Sequence, residues 1–403
     1  MSLRLPPLRP GHRIALLEGS AELFPALVAA VDAATHEVWL ETYIFDFTSA
    51  SAEVAWALER AARRGVAVRV VVDGFGTPEL PAHWRERFDA AGVRWLVYAP
   101  LGSLGVAWPG SWRRLHRKLC VVDARLAFCG GINLLDDWHD PNHGALESPR
   151  LDFAVQVSGP VVADVRHAMH QLWQRLRAVR QLDPHLLSEV LASPPPLAAQ
   201  PRWRDDAGAP AQAKVALLLR DNLRHRRHIE KSYLRAIGRA QREIIIANAY
   251  FVPGGRLRRA LIRAARRGVR VMLLLQGRYE YFMQYYASRP VYDALLRAGV
   301  EIHEYSRSFL HAKVAVFDRR VATVGSSNLD PLSLLLAREA NMMVEDGAFA
   351  ECLRLRLLHA IEHQGVAMDP AQYARRPWRE RGLEYLALGV MRLALVVQGK
   401  KYL

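Results

Sequence analysis

The chain has 403 residues, of which 51% are hydrophobic and 24% charged, the balance of a globular protein with length for two domains. Lys and Arg outnumber Asp and Glu by 55 to 40, and the net charge of +15 predicts an anionic partner: a nucleic acid, an acidic membrane surface or a phosphorylated substrate. Three scattered cysteines and the lack of any run of roughly 18–20 apolar residues exclude a disulfide-framed miniprotein, a zinc-cluster protein and a polytopic membrane protein.

The first half of the chain predicts alternating strands and helices. Residues 38–45 read as an apolar strand. Residues 57–72 contain a helix that ends in Arg63 and Arg64, a glycine at the helix stop, and a second strand that is apolar throughout. Residues 88–98 add a helix end, a glycine turn and a further strand. Strands that are apolar throughout are typical of a sheet covered on both faces.

The same succession recurs in the second half. The matching pairs of segments are 38–45 with 244–251, 57–72 with 260–275, 88–98 with 295–305, and 115–123 with 310–318. We therefore expect an α/β fold made by duplication. It would consist of two lobes, each a mixed β-sheet flanked by helices. If the lobes meet about a pseudo-twofold axis, we expect the active site to lie between them.

Composition predicts where the lobes begin and end. The first lobe is expected at residues 1–182, a Pro-rich linker at 183–213, the second lobe at 214–365 and a C-terminal tail at 366–403. Within the tail, residues 382–398 predict a mostly apolar helix about 24 Å long, too short to span a bilayer upright. Two interpretations stay open for this helix: it lies in the membrane interface, or it docks on a lobe.

The strongest signal is a His-x-Lys-x4-Asp motif that occurs once in each half, as His116, Lys118 and Asp123 and again as His311, Lys313 and Asp318. A turn of small residues and an asparagine, Asn133 or Asn328, follows at the same distance each time. Residues i and i+2 share one face of a strand, so the His and Lys of each motif point the same way. The aspartates end the motif strands, and we expect them to be structural. Only six of the 55 basic residues are lysines, so a Lys in both motifs indicates a need for a compact charge.

Facing each other across a cleft, the two motifs predict phosphodiester chemistry. One imidazole can attack phosphorus while the other gives a proton to the leaving oxygen. The ammonium groups and the asparagine amides can hold the non-bridging oxygens and the charge that develops on them. This division of roles requires neither a metal nor another cofactor, and we expect none.

The doubled motif with its Gly-[Gly/Ser]-x-Asn turn resembles the phospholipase D superfamily. The segments 220–237, 244–254 and 323–341 look like bacterial cardiolipin synthases of the shorter kind without N-terminal transmembrane helices. The resemblance covers nearly the whole chain apart from the linker and the tail. It implies a two-step reaction in which a phosphatidyl-histidine forms with release of glycerol and a second lipid alcohol then attacks to give cardiolipin.

The resemblance also implies a role for each site residue. The nucleophile and the general acid/base are His116 and His311, with His116 favoured as nucleophile by analogy, and the phosphate ligands are Lys118, Lys313, Asn133 and Asn328. An acidic residue further along orients each histidine: Glu339 in the second lobe and Asp152 in the first. Ser326 takes the family's small-hydroxyl position, where the first lobe departs with Gly131. Tyr43 and Tyr250 are the remaining substrate-binding candidates.

We therefore expect a phosphatidyltransferase that makes cardiolipin from phosphatidylglycerol and a second phospholipid, phosphatidylglycerol or phosphatidylethanolamine, with release of glycerol or ethanolamine. Two alternatives stay open: a phospholipase D that hydrolyses phospholipids to phosphatidic acid, and a nuclease on the same fold. The expected partners are phospholipid substrates and an anionic membrane, not nucleic acid. The expected location is the bacterial cytoplasm, peripheral on the inner membrane. The sequence leaves the acceptor lipid and the oligomeric state open.

Overall fold

The computed structural model describes residues 5–100, 112–140, 143–180, 212–221, 225–278 and 282–397. The first half alternates strands and helices as its sequence predicts. Its elements are β1 (Arg9–Glu18), α1 (Gly19–Asp32), β2 (Glu37–Thr42), α2 (Ser49–Arg63), β3 (Ala67–Asp73), α3 (Ala82–Ala91), β4 (Arg94–Tyr98), β5 (Lys118–Val122), β6 (Leu126–Gly130), β7 (His139–Asp140), β8 (Gly144–Ala145), β9 (Phe153–Ser158) and α4 (Val161–Arg180).

The second half repeats this order and adds elements at its end. Its elements are β10 (Ala213–Arg220), α5 (His228–Arg239), β11 (Glu243–Asn248), α6 (Gly255–Arg266), β12 (Arg270–Gln276), α7 (Phe282–Leu296), β13 (Glu301–Tyr305), β14 (Lys313–Phe317), β15 (Val321–Gly325), α8 (Pro331–Leu335), β16 (Glu339–Glu345), α9 (Gly347–Gln364), β17 (Gly365–Ala367), α10 (Pro370–Ala374) and α11 (Trp378–Val397).

Apart from β7 and β8, which form a separate two-stranded sheet, the described strands of both halves join in one sheet, in the order β17-β13-β12-β11-β14-β15-β16-β10-β1-β9-β6-β5-β2-β3-β4. On either side of the β10–β1 seam the same succession of equivalent strands recurs. The β2-β3-β4 and β11-β12-β13 strands are parallel and the other pairings antiparallel. Because β1 and β10 are the equivalent first strands of their lobes, their antiparallel pairing is the relation of a twofold axis. The predicted pair of mixed-sheet lobes is confirmed, and the edge-to-edge seam is a feature that the sequence did not predict.

Equivalent residues end the first long crossover helix of each lobe. Gly65 and Gly268 follow α2 and α6 with φ of 89° and 87°, the left-handed conformation that favours glycine at a helix stop. The guanidinium of Arg64 donates to the C-terminal carbonyls of α1, and that of Arg267 donates in the same way to those of α5. The second arginine of each predicted Arg-Arg pair therefore caps the neighbouring helix.

The aspartate of each motif fastens its strand to the neighbouring one. The Asp123 carboxylate accepts backbone N–H groups of the segment 35–37 that opens β2, at 2.7–2.9 Å. The Asp318 carboxylate does the same for the segment 241–243 before β11, at 2.8–2.9 Å. Both aspartates are structural, as the sequence predicts.

Helices cover both faces of the sheet. On one face a single core contains residues of both lobes together with α4 and α9. On the other face each lobe has its own core, beneath α1–α3 in the first and α5–α7 in the second. Alternate residues of β11 enter different cores: Ile245 belongs to the shared one and Ile246 to that of the second lobe. This is the double coverage that continuously apolar strands predict.

The predicted linker at 183–213 falls almost entirely outside the described residues, since β10 begins at Ala213. In the tail, α11 packs against α7. No helix within the described ranges has both the length and the hydropathy needed to cross a membrane.

A buried histidine joins the two lobes at the seam. His12 in β1 is 1% exposed, and its Nε2 accepts a hydrogen bond from the backbone N–H of Val161 at the start of α4, at 2.9 Å. Its Nδ1 therefore carries the proton and donates to the carbonyl of Ala213 in β10, at 3.3 Å. Burial lowers the pKa of His12 below its ordinary value of 6.5, so the ring stays neutral in the folded protein.

We expect His12→Leu to lower the free energy of unfolding by about 1–3 kcal/mol at neutral pH, because it orphans a buried N–H and a buried carbonyl. The wild-type advantage should shrink as the pH falls below 6.5, where the unfolded chain takes up a proton that the folded ring resists. Urea unfolding followed by tryptophan fluorescence at neutral pH and at about pH 5 measures both effects. An identical loss at the two pH values would contradict this role.

Candidate active site

The two motif segments enter the sheet through contacts with the opposite lobe. Lys118 and Lys313 are the first residues of β5 and β14, and each histidine lies two residues earlier on an extended segment. The backbone N–H of His116 donates to the carbonyl of Arg338 at 3.0 Å, and that of His311 donates to the carbonyl of Leu151 at 2.9 Å. Each histidine backbone is therefore positioned by the segment that carries the other lobe's acidic residue.

The two acidic residues are exchanged between the lobes. Nδ1 of His116 lies 3.1 Å from the carboxylate of Glu339, and Nδ1 of His311 lies 2.6 Å from that of Asp152. The assignment of Glu339 to the second-lobe histidine and Asp152 to the first is thus wrong in its pairing, although the residues are the right ones. Twofold packing of the lobes causes the exchange, because it brings the start of β16 to His116 and the start of β9 to His311.

These hydrogen bonds determine the tautomer of each ring. The neighbours of the His116 Nδ1, the Glu339 carboxylate and the Ser326 carbonyl at 3.2 Å, are acceptors. Nδ1 therefore carries the proton, and Nε2 keeps its lone pair. The same argument applies to His311, whose Nδ1 donates to Asp152.

The lysines are buried beside the histidines. The Nζ of Lys118 donates to the carbonyl of His116 at 2.7 Å, and that of Lys313 donates to the carbonyl of His311. Burial, followed by repulsion from Lys313, lowers the pKa of Lys118 to about 7. Without an anion, the site therefore resists carrying two full ammonium charges.

Burial also lowers the pKa of both histidines. For His116 the Glu339 carboxylate opposes this effect, whereas for His311 the nearby Lys313 and Lys118 add to it, and its pKa falls well below 6.5. Burial raises the pKa of Asp152 to about 7, against the opposing effect of Lys313. Both imidazoles are consequently neutral at neutral pH, the state in which Nε2 can act as a nucleophile or a base.

The two asparagines occupy equivalent places on the motif turns. Oδ1 of Asn133 accepts from the backbone N–H of Ile44 at 3.3 Å, and that of Asn328 accepts from the N–H of Tyr250 at 3.4 Å. Among the described residues neither Nδ2 group makes a hydrogen bond. Each amide is oriented by its oxygen and keeps two donors for a ligand.

The departure at Gly131 has a steric explanation. A Cβ at this position would overlap the Asp152 carboxylate, so the short Asp side chain lies directly against the glycine. In the second lobe the longer Glu339 leaves room for Ser326, whose Oγ donates to the Glu339 carboxylate at 2.5 Å. The Gly–Asp and Ser–Glu combinations are therefore alternative ways to place a carboxylate on a histidine.

The two tyrosines are not equivalent. Tyr43 lies edge-on to the His116 ring, with centroids 5.0 Å apart, and the Nζ of Lys118 is 5.3 Å from the centre of the Tyr43 ring. Tyr250 corresponds to Ile44, one position later in the repeat, and contributes its backbone N–H to Asn328. The structure thus places Tyr43 in ring contact with a motif histidine.

Two supporting residues at the ends of equivalent strands were missed by sequence reasoning. The Asp73 carboxylate accepts the N–H of Leu115 at 2.7 Å, and it also pairs with Arg114 at 3.3 Å. In the second lobe the Oε1 of Gln276 accepts the N–H of Leu310 at 3.0 Å. The available signal was a polar residue directly after an apolar strand at matching repeat positions.

No group of three or more His, Cys, Asp or Glu residues suited to a metal ion occurs in the part of the chain that the structure describes. The site consists of two neutral imidazoles, each hydrogen-bonded to a buried carboxylate, together with two lysines and two oriented amides. This arrangement can perform nucleophilic substitution at a phosphodiester with general acid/base assistance.

Comparisons with known proteins agree with this chemistry. The family described as "Cardiolipin synthase, PLD-like domain" matches residues 27–146 and 233–358. Cardiolipin synthase B of Shigella flexneri is 38% identical over 389 residues, covering 95% of this chain and 89% of that protein. A cardiolipin synthase of Geobacillus kaustophilus is 30% identical over 377 residues, covering 93% of this chain and 71% of its own length.

The fold also has a counterpart among solved structures. Phosphatidylserine synthase of Haemophilus influenzae superimposes with a TM-score of 0.68 at 12% identity, covering 95% of this chain and 94% of that one. At this identity the likeness concerns the fold alone. The matched family segments each contain one His-x-Lys-x4-Asp motif, and the similarity in sequence extends over almost the whole length of the Shigella relative. The chain therefore belongs to the family of cardiolipin synthases with phospholipase D-like domains.

Proposed function

We propose that the protein is a phosphatidyltransferase that makes cardiolipin from phosphatidylglycerol and a second phospholipid, which is phosphatidylglycerol or phosphatidylethanolamine. The observation that carries the proposal is the exchange of carboxylates between the lobes, which leaves two neutral imidazoles with their Nε2 lone pairs available. We further propose that it works from the cytoplasmic side, as a peripheral protein of the bacterial inner membrane.

In the first step the Nε2 of His116 attacks the phosphorus of phosphatidylglycerol. A P–N bond forms and the P–O bond to the headgroup glycerol breaks. His311 is neutral in the empty site; when the phosphodiester anion binds, its negative charge favours uptake of a proton from water at the Nε2 of His311. His311 gives that proton to the departing alkoxide, and free glycerol leaves. The Asp152 carboxylate stabilises the protonated His311 through the hydrogen bond at Nδ1.

In the second step a hydroxyl of a second phosphatidylglycerol headgroup attacks the phosphatidyl-histidine. His311, now neutral, takes the proton of that hydroxyl, a new P–O bond forms, and the P–N bond to His116 breaks. Cardiolipin is released and both rings return to their starting states. When phosphatidylethanolamine is the lipid attacked by His116 in the first step, the P–O bond to its headgroup breaks and ethanolamine leaves in place of glycerol, and phosphatidylglycerol is again the acceptor in the second step.

The other site residues hold the phosphate. Lys118, Lys313 and the Nδ2 groups of the two asparagines donate to its non-bridging oxygens, where charge accumulates in each transition state. Ser326 supports Glu339, and Gly131 provides the space for Asp152. Tyr43 borders the phosphate position beside Lys118, and Tyr250 contributes to substrate binding through its backbone N–H, which orients the Asn328 amide.

We expect His116→Ala and His311→Ala each to lower the rate of cardiolipin formation by at least about 10³-fold. The double variant should retain about the same rate as the less active of the two single variants, because the two histidines act as a unit. The assay incubates the purified protein with phosphatidylglycerol vesicles, with and without phosphatidylethanolamine, and identifies products by mass spectrometry. His363→Ala, an exposed histidine on α9, is the control. Phosphatidic acid without cardiolipin would make the protein a hydrolase, and turnover of single-stranded DNA instead of lipid would make it a nuclease.

We expect Gly131→Ala to reduce kcat by roughly 10²-fold or more, because the added methyl group displaces the Asp152 carboxylate from His311. Gly238→Ala is a matched control, since the same change on α5 meets open space. Thermal unfolding of both variants separates a positioning effect from loss of folding. Full activity of Gly131→Ala would argue against a need for Asp152 at this place.

We expect kcat/KM to fall on both sides of about pH 7. Asp152 loses its negative charge as the pH falls through its pKa of about 7, and Lys118 loses its positive charge as the pH rises through its own pKa of about 7. In Lys118→Arg the guanidinium stays charged, so the decline at alkaline pH should disappear from the remaining activity. A wild-type rate that stays constant to about pH 9 would contradict the assignment.

A further inference from the structure

The tail helix α11 is amphipathic, and its outer face is apolar. Glu384, Ala387, Leu388 and Met391 recur at helical spacing and are buried. On the opposite side Leu386, Val390 and Leu393 form a stripe at positions i, i+4 and i+7, with exposed fractions of 63%, 48% and 65%. We call this stripe the outer apolar face. A helix docked on a soluble lobe normally places its apolar residues inward, so the face requires a partner.

Ion pairing determines which way α11 faces. Its carboxylate Glu384 points inward, is 4% exposed and pairs with Arg376 at 3.1 Å. Arg289 of α7 adds a second positive charge nearby and is itself paired with Glu304 at 2.7 Å. A rotation of α11 that buried its exposed leucines would carry Glu384 away from Arg376 and break their ion pair. The ion pair therefore keeps the outer apolar face turned away from the lobe.

The helix lies close to the active site. Its buried face packs against α7 and against Val252, which follows Tyr250 by two residues on the loop after β11. The backbone N–H of Val252 donates to the carbonyl of Leu329, the residue after Asn328. The outer apolar face is thereby attached to the rim of the second lobe's half of the site.

A stripe of arginines lies on the same side of the second lobe. The helices α6 and α7 are consecutive crossovers between parallel strands and so lie on one face of the sheet, with α11 on top of α7. Arg256, Arg259, Arg263 and Arg266 are exposed along α6, and we call them the α6 arginine stripe.

The equivalent helix of the first lobe, α2, has its arginines in ion pairs. On α2, Arg60 pairs with Asp32 at 2.7 Å and Arg63 pairs with Glu59 at 2.6 Å. Among the described residues no carboxylate pairs with any member of the α6 arginine stripe. Positive charge is therefore left uncompensated on the lobe that carries the outer apolar face, and only there within this pair of repeated helices.

We propose that the outer apolar face and the α6 arginine stripe together form the surface that docks on an anionic phospholipid bilayer, with α11 lying in the interface. The inference deepens the proposed function, on which it rests, by naming the surface that meets the substrate's membrane. Apolar side chains that enter the acyl boundary beside cations that meet phosphate groups match a bilayer in both respects. A second copy of the chain fits less well, because a twofold contact would bring two arginine stripes together.

The test measures sedimentation of the full chain with vesicles of phosphatidylcholine, with and without phosphatidic acid, which has no headgroup alcohol to release. We expect Leu393→Glu to weaken binding to both kinds of vesicle by roughly tenfold or more. Its matched control is Leu355→Glu, a leucine 56% exposed on α9 over the other face of the sheet, which should bind as wild type.

The arginines are tested separately. We expect Arg259→Gln with Arg263→Gln to weaken binding to the anionic vesicles by roughly 25-fold, about fivefold for each charge, with little effect on phosphatidylcholine alone. Arg60→Gln with Arg63→Gln is the matched control on α2. Cardiolipin-type product from a short-chain, monomeric phosphatidylglycerol should be unchanged in all these variants.

The outcomes separate this inference from the proposed function. Wild-type vesicle binding by both the Leu393 and the Arg259/Arg263 variants would overturn the docking surface, even if cardiolipin forms. So would size-exclusion chromatography that shows Leu393→Glu dissociating a dimer while its vesicle binding is unchanged. If the variants lose vesicle binding as expected but the wild type makes no cardiolipin-type product, the docking surface stands and the proposed function fails.

Discussion

The carboxylate that each lobe gives to the other lobe's histidine is the contact on which the site depends. Asp152 and Glu339 are both buried, and each carboxylate accepts a hydrogen bond from the Nδ1 of a motif histidine. Neither lobe alone holds a histidine in a defined tautomer. The backbone contacts to Arg338 and Leu151 repeat the same dependence, so the two halves of the site and the packing of the lobes are one arrangement.

Burying two charged lysines costs free energy of desolvation. The site lowers this cost because the lysines need not both be protonated while it is empty. Burial and mutual repulsion hold the pKa of Lys118 near 7, while burial keeps both imidazoles neutral. A phosphodiester anion reverses this balance, since it favours the protonated lysine. The affinity for substrate and the full charge of the site therefore develop together.

The helices, the strands and the His-x-Lys-x4-Asp motif could be predicted from the sequence, because each depends on a local pattern of residues. Helical stops at Gly65 and Gly268, apolar strands and the His-x-Lys spacing each carry their own physical reason. The pairing of acids with histidines could not be obtained this way, since it depends on how two finished lobes meet. The tyrosines illustrate a second limit: Tyr43 and Tyr250 differ by one place in the repeat, and one place on an extended segment turns a side chain to the other face.

The seam between β1 and β10 pairs two strand edges that separate lobes would leave exposed. A lone lobe would leave the outer edge of its first strand unpaired, with the hydrogen-bonding groups of a sheet edge open to any other strand. It would also have a histidine without its carboxylate. A second identical lobe, placed by a twofold axis, would satisfy both deficits at once, because the seam joins equivalent strands and the carboxylates cross the same axis. The chain thus holds in one polypeptide the arrangement that two identical lobes would form about a twofold axis. Its halves are nevertheless different: one lobe pairs Gly131 with an Asp and carries Tyr43, and the other carries the α6 arginine stripe and the tail helix.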